Sequence, residues 1–336
     1  MSVTLSASIV AGAAGLLLGG LVGAVAQVTA FCSVGAVADI VLAKDWRRMR
    51  SWMMAMAVAV TGTQVLSALG LADLSGTPYG LAPAAWPGVA LGGTAFGFGM
   101  ALAGGCVQRA LVRIGSGSIK SLLTLVLIAL SAALTLRALP HAPAVSVTLP
   151  HATALALAGV LGAGLLAFCL KDAWFRASPG ALWGGAAIGA AAAAAWAFAD
   201  SRRGFNLLMD LGAAGATLLG YQDGVSVFGL CGLAGIVLGA AVAAALRGDL
   251  YRDGFVDRED LKRHVVGGLA MGCGGALAYG CSFGQGLAGL STLSMSAVIA
   301  VAFMGLGCLW GIRALEAGSA WGGLKLMVAR RGGRSG

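Results

Sequence analysis

Residues 92–106 read GGTAFGFGMALAGGC and residues 267–281 read GGLAMGCGGALAYGC; set side by side without a gap they agree at 10 of 15 positions, and both end in Gly-Cys. About eight residues follow each cysteine, 107–114 and 282–289, before the next apolar run begins. At about 1.5 Å per residue such a piece cannot cross a hydrocarbon core of roughly 30 Å. The pattern predicts two helices that stop at a Gly-Cys junction and continue as short re-entrant helices. Irregular backbone of this kind is tolerated at membrane depth only where protein or a water-filled cavity satisfies its polar groups. The competing reading is a pair of tight helix connections at the membrane surface.

The rest of the chain sets these two stretches in a bilayer. Of 336 residues, 59% are hydrophobic and 10% charged, with a mean hydropathy of +0.89; a soluble domain carries about 25% charged residues. Soluble and disordered classes are excluded. The fold class is therefore all-α: a polytopic membrane protein of about nine transmembrane helices plus short re-entrant half-helices. Apolar runs fall at 4–27, 51–71, 88–104, 119–138, 152–170, 180–199, 225–246, 264–280 and 293–315. A tenth stretch, 205–220, contains Asp210 and is expected to be interfacial or broken. The first run lacks a basic leader, so it reads as a span and not as a cleaved signal. The 55 glycines against 7 prolines point to closely packed or broken helices.

Charge placement orients the spans. Basic residues cluster at 44–50, 247–263 and 325–334, whereas the proline-rich linkers 70–87 and 139–150 hold no Lys or Arg. Positive-inside flanking accounts for the net charge of +9 and leaves no role for nucleic acid. The Cys106 turn then opens from the cytoplasmic side and the Cys281 turn from the opposite side, an inverted repeat of the kind that places a transporter site near the midplane. One integral domain, 1–336, is expected, with halves 1–139 and 152–320 and a basic cytoplasmic tail at 321–336.

Chemistry concentrates at the interruptions. A re-entrant helix aims free N–H groups and a positive dipole end inward, which suits a small anion. Cys106 and Cys281, with Gly105 and Gly280 before them, stand at two such starts, and Cys32 at a third, Phe31-Cys32-Ser33. Phe168-Cys169 echoes it weakly. A thiol is a weak donor and a soft partner, fitting the sulfur of a ligand better than a hard oxygen. Arg109 and Arg113 share a helical face at i and i+4, and Gln285 either donates to an anion or caps a short helix. Asp39, Asp210 and Asp223 read as caps or interfacial residues, and Cys231, Cys273 and Cys308 as packing residues. Seven cysteines without a CxxC or CxxCH pair, and three histidines near span ends, leave no metal, cofactor or catalytic group to assign. A transporter of a sulfur-containing anion is the leading reading. A membrane-embedded thiol oxidoreductase or sulfurtransferase using the same cysteines covalently is the alternative, and a non-transporting scaffold gains nothing from broken spans.

Four segments carry a family likeness: FCSVGAVAD at 31–39, KDWRRMRSW at 44–52, GFGMALAGGCVQRALVRIGSGSIKSLL at 97–123 and LKRHVVGGLAMGCGGALAYGCSFGQGLAGLSTLS at 261–294. With them the chain resembles the YeeE/YedE family of bacterial sulfur-transport membrane proteins. The resemblance implies a bacterial inner-membrane protein of inverted halves that takes up thiosulfate or a related anion. It further implies a path lined by Cys32, Cys106 and Cys281 that passes the substrate through S–H···S contacts and, for some members, a soluble TusA-like sulfur carrier as partner. Two departures stand out. Ala30 precedes Phe31 where relatives often carry Arg, and the second half holds no copy of the Phe-Cys pair beyond Phe168-Cys169.

Overall fold

The computed structural model describes residues 2–138, 150–199, 203–221 and 225–332. Most of the 139–150 linker, together with Asp223, lies outside them. Each of the nine apolar runs is helical: α1 (Ser2–Thr29), α3 (Arg47–Ala68), α4 (Trp86–Leu102), α6 (Ile119–Ala138), α7 (His151–Leu170), α9 (Pro179–Phe198), α11 (Val227–Arg247), α12 (Arg258–Leu277) and α13 (Met295–Ala317). Between them lie short helices: α2 (Ser33–Ala38) with a π-helical extension Asp39–Ala43, α5 (Val107–Gly115), α8 (Ala173–Arg176), α10 (Leu207–Leu218) and a π-helix Gly284–Gly289. A last helix, α14 (Ala320–Gly332), forms the start of the basic tail. No strand occurs among the described residues.

Among the described residues seven helices are long and apolar enough to cross a membrane: α1, α4, α6, α7, α9, α11 and α13. The other two, α3 and α12, have sufficient length but open on charge, Arg47-Arg48-Met49-Arg50 and Arg258-Glu259-Asp260. Those charges suit a helix start at the water interface. Asp257 caps α12 by accepting from Asp260 N at 2.7 Å, and Ser226 caps α11 through Gly229 N at 2.9 Å. At the other ends, Gly248 and Gly318 close α11 and α13 in the left-handed region at φ 70° and 69°, as a helix C-terminus favours. Leu17, Leu91 and Val160 are more than 70% exposed, a surface that only lipid would cover without penalty.

Glycine sets the interior spacing. A Cβ on Gly99 would stand 2.6 Å from the Gly267 carbonyl oxygen, and one on Gly267 2.7 Å from the Gly99 oxygen; Gly92 and Gly274 face each other in the same reciprocal way at 2.5 and 2.6 Å. So the two quoted segments, α4 and α12, cross antiparallel with their backbones in contact. Elsewhere α1 packs on α11, α3 on α9 and α7, α13 on α4, and α12 on α6. Without a hydrophobic drive between helices in lipid, such close approach supplies the dispersion that holds them.

The connections collect at two ends. At one, Ser118 donates to Asp253 (3.0 Å), Lys120 to Asp260 (2.7 Å), and Tyr251 N to Ser116 O (3.0 Å). There the Lys120 ammonium holds the Asp260 carboxyl below its usual range. At the other end Ser294 and Ser296 donate to Tyr79 O, and Tyr79 Oη donates to Arg203 O at 2.8 Å. Thus α5 leaves the centre toward the first end, while the segment after Cys281 leaves toward the second. The 205–220 stretch, expected to be interfacial or broken, forms α10 in the interior, with Leu207, Leu208 and Asp210 all buried and Asp210 against Gly229 of α11.

Candidate functional site

Four short helical segments begin in the middle of the molecule, and a polar residue opens each. Cys32 caps α2, its Sγ accepting from Gly35 N at 3.4 Å. Cys281 caps the last one, accepting from Gly284 N at 3.3 Å. Cys106 opens α5 with its thiol making no cap bond. The fourth cap is Asn206, which accepts from Met209 N at 3.4 Å. All four are buried, with an exposure of 6% for Cys32, 1% for Cys106 and 0% for both Cys281 and Asn206.

The segments meet. Ser33, next to Cys32, lies 3.0 Å from Ser282, next to Cys281, and 4.0 Å from Met100 Sδ at the end of α4. Cys32, Cys106 and Cys281 all belong to one buried cluster. Aromatic rings back the caps: Phe31 stacks on Trp52 at 5.9 Å, and Phe205 meets Phe283 edge-on at 5.8 Å.

Cationic character enters on one side only. Arg109 folds along the Cys106 turn, its Cβ and Cγ close enough to Gly105 that a Cβ there would meet them at 3.1–3.2 Å. Its Nη1 is buried without a hydrogen-bond partner among the described residues. Arg113, one turn on, reaches back toward Gly104. Gln285 uses its amide locally: Nε2 donates to Ala278 O, which places it as a tie across the Cys281 turn. Gly280 sits between that tie and Asn206.

The remaining cysteines open no helix, although Cys308 shares the buried cluster of the other three. Of these, Cys169 donates to Arg50 O at 3.3 Å at the end of α7. Phe205-Asn206 opens α10 as Phe31-Cys32 opens α2, a likeness that sequence reasoning missed because the capping residue changes type; the signal available was a phenylalanine followed by a cap-forming side chain at a helix restart. Cys308 is buried beside Gly97, Cys273 is exposed on α12, and all seven thiols are free. Asp39 pairs with Arg48 at 3.3 Å. Among the described residues no three His, Cys, Asp or Glu side chains converge as a metal set.

Two clefts enter the molecule. One of about 450 Å³ is lined by Gln64, Ser67, Thr77, Leu293, Ser294 and Ser296. Another of about 210 Å³ at the basic end reaches Phe31 past Arg47 and Arg48. Between them the thiols are closed off by packing.

Comparison with known proteins accords with this geometry. The family model described as Sulphur transport matches twice, at residues 28–170 and 147–310. A thiosulfate transporter, TsuA, of Escherichia coli (strain K12) is 26% identical over 336 residues, covering 87% of this chain and 91% of that protein. Another TsuA, from Spirochaeta thermophila, is 28% identical over 330 residues, covering 87% and 96%.

Proposed function

This chain belongs to the Sulphur transport family, and on that premise we propose that it is a multi-pass transporter bringing thiosulfate, or a closely related sulfur anion, across the bacterial inner membrane. The observation that carries the reading is that three buried helix starts in an otherwise apolar helical body each open on a cysteine. An anion leaving water needs donors that replace its hydration shell, and each short helix offers unspent N–H groups and a positive dipole end. Thiols add weak neutral donors suited to a terminal sulfur. Arg109 is the fixed positive charge in the cluster and raises affinity at the Cys106 turn. Because the other donors are neutral, binding is tight enough to admit the anion and weak enough to release it.

Nine spans are the natural count, with α3 and α12 joining the seven more apolar helices. Two halves, 1–139 and 152–320, then form inverted copies, with α7 as the leading span of the second. The supports are the double family match, the reciprocal Gly92–Gly274 and Gly99–Gly267 contacts, and the exchanged packing in which α1 meets α11 as α3 meets α9, and α13 meets α4 as α12 meets α6. The basic end faces the cytoplasm by the positive-inside rule and offers a landing surface for a soluble TusA-like carrier.

Uptake of radiolabelled thiosulfate by cells lacking other routes, challenged with sulfite, sulfate and selenium analogues, tests the proposal. Saturable uptake competed best by sulfur anions bearing a terminal sulfur is expected. Uptake no greater than in cells without the protein overturns it.

A further inference from the structure

We propose that Asn206 is a positioning residue for the Cys281 thiol. The inference rests on the reading of Cys281 as part of the path, and it arises from the way the Asn206 carboxamide divides its hydrogen bonds. Oδ1 accepts from Met209 N at 3.4 Å and closes the first turn of α10, while Nδ2 donates to Tyr279 O at 3.0 Å. The side chain is fully buried, and this pattern of bonds assigns its oxygen and nitrogen.

Tyr279 is where the restraint matters. It lies in the left-handed region at φ 55°, where the matching residue of the other turn is Gly104 at φ 66°. Glycine holds that conformation freely, whereas a residue with a Cβ is strained there and persists only when its surroundings hold it. The Asn206 bond to the Tyr279 carbonyl fixes the peptide plane leading into Gly280 and so sets the direction of Cys281. The same amide touches both flanks of the cysteine: a Cβ on Gly280 would lie 3.2 Å from Nδ2, and one on Gly284 2.8 Å from Oδ1. Gly284 is also the residue whose N–H holds the Cys281 sulfur. One carboxamide thus braces the backbone before the thiol and the amide donor after it.

Cys32 occupies the corresponding place before α2, where Ala30 at φ 50°, Phe31 and Cys32 match Gly204 at φ 56°, Phe205 and Asn206. A cysteine there has no donor that reaches a neighbouring carbonyl as Nδ2 does, and its partner turn has Gly104 and needs no brace.

The test uses full-length protein in membranes with Cys169, Cys231, Cys273 and Cys308 replaced by Ala. The rates at which N-ethylmaleimide modifies Cys281 and Cys106 are read by mass spectrometry, and thiosulfate uptake is resolved into KM and maximal rate. Asn206→Ala, and Asn206→Asp, which keeps the acceptor but loses the donor, should each raise Cys281 modification about tenfold relative to Cys106 and lower the maximal rate, in keeping with loss of one buried hydrogen bond. Adding Tyr279→Gly to Asn206→Ala should return both readouts toward the parent, since glycine needs no brace. An unchanged modification ratio, or a loss of uptake that Tyr279→Gly does not relieve, overturns the proposal. A raised ratio in a parent protein that takes up no thiosulfate keeps the positioning role and overturns the substrate reading.

Discussion

The Cys106 and Cys281 turns begin from nearly the same fifteen residues and finish with different chemistry. At Cys106 the chain turns through a glycine, leaves the thiol without a cap bond, and continues as a regular nine-residue helix carrying Arg109 and Arg113. At Cys281 it turns through a tyrosine held by Asn206, uses the sulfur to accept from Gly284 N, and continues through a π-helix without a charged residue. From Cys106 to the left-handed Gly117 is eleven residues; from Cys281 to the left-handed Leu293 is twelve. The wider π turn takes up the additional residue, a device that recurs at functional sites. One turn is therefore charged with a loose thiol, the other neutral with a held one.

The largest expected effect removes the feature the two turns share. Cys106→Ala and Cys281→Ala should each reduce thiosulfate uptake to background, while Cys308→Ala, buried beside α4 and outside the caps, should keep uptake within about twofold of the parent and lose only about 1 kcal/mol of packing. Full uptake by either central variant would dissolve the comparison. Next in size is the charge difference: Arg109→Gln should raise KM about tenfold with a smaller change in maximal rate, as expected for about 1.4 kcal/mol of lost anion attraction. Arg113→Gln should move KM less, because Arg113 sits one turn farther from the cap. Third, Gly104→Ala places at the Cys106 turn the strain that Tyr279 bears at the other, at a cost of about 1–2 kcal/mol, read as a lower melting temperature in detergent; an unchanged melting temperature would show that the glycine is not needed there.

The smallest effect concerns pH. Asp260, hydrogen-bonded by Lys120, is held below the ordinary carboxylate range. A lowered folded-state value means that its stabilisation is present above the unfolded value, near pH 4, and is lost as pH falls through the lowered value. The contact between the α5–α6 connection and α12 should stay intact from pH 5 to 8, so uptake should vary little with pH across that window. A steep fall between pH 7 and 6 would show that a group other than the Asp260 carboxylate controls uptake, His264 at 3.2 Å from it among the candidates.

Much of this was legible in the chain. The apolar runs located nine helices to within a few residues, except at α12, whose charged first turns 258–263 lie outside the 264–280 run, because lipid selects for length and hydropathy with little regard to face. The Gly-Cys junctions marked two of the central starts because glycine both ends a helix and permits close crossing. Asn206 was hidden for a physical reason: thiol, hydroxyl and amide caps do the same local work, so the motif survives a change of residue type that erases its sequence signature. Phe168-Cys169 misdirected for the opposite reason, as a matching dipeptide at an ordinary helix end against Arg50 O. The Gln285 bond to Ala278 O was not legible, because that partner lies seven residues away in sequence and comes close only after the turn forms.

The glycine seam between α4 and α12 has a mechanical consequence. A side chain in place of any of these glycines would run onto the facing backbone carbonyl, so the α4–α12 crossing resists shear. Motion is left to the short segments that open at Cys32, Cys106, Asn206 and Cys281, all buried inside the protein. Turnover should then be indifferent to the lateral pressure and thickness of the bilayer, and vesicles of short-chain and long-chain phospholipid should support the same rate.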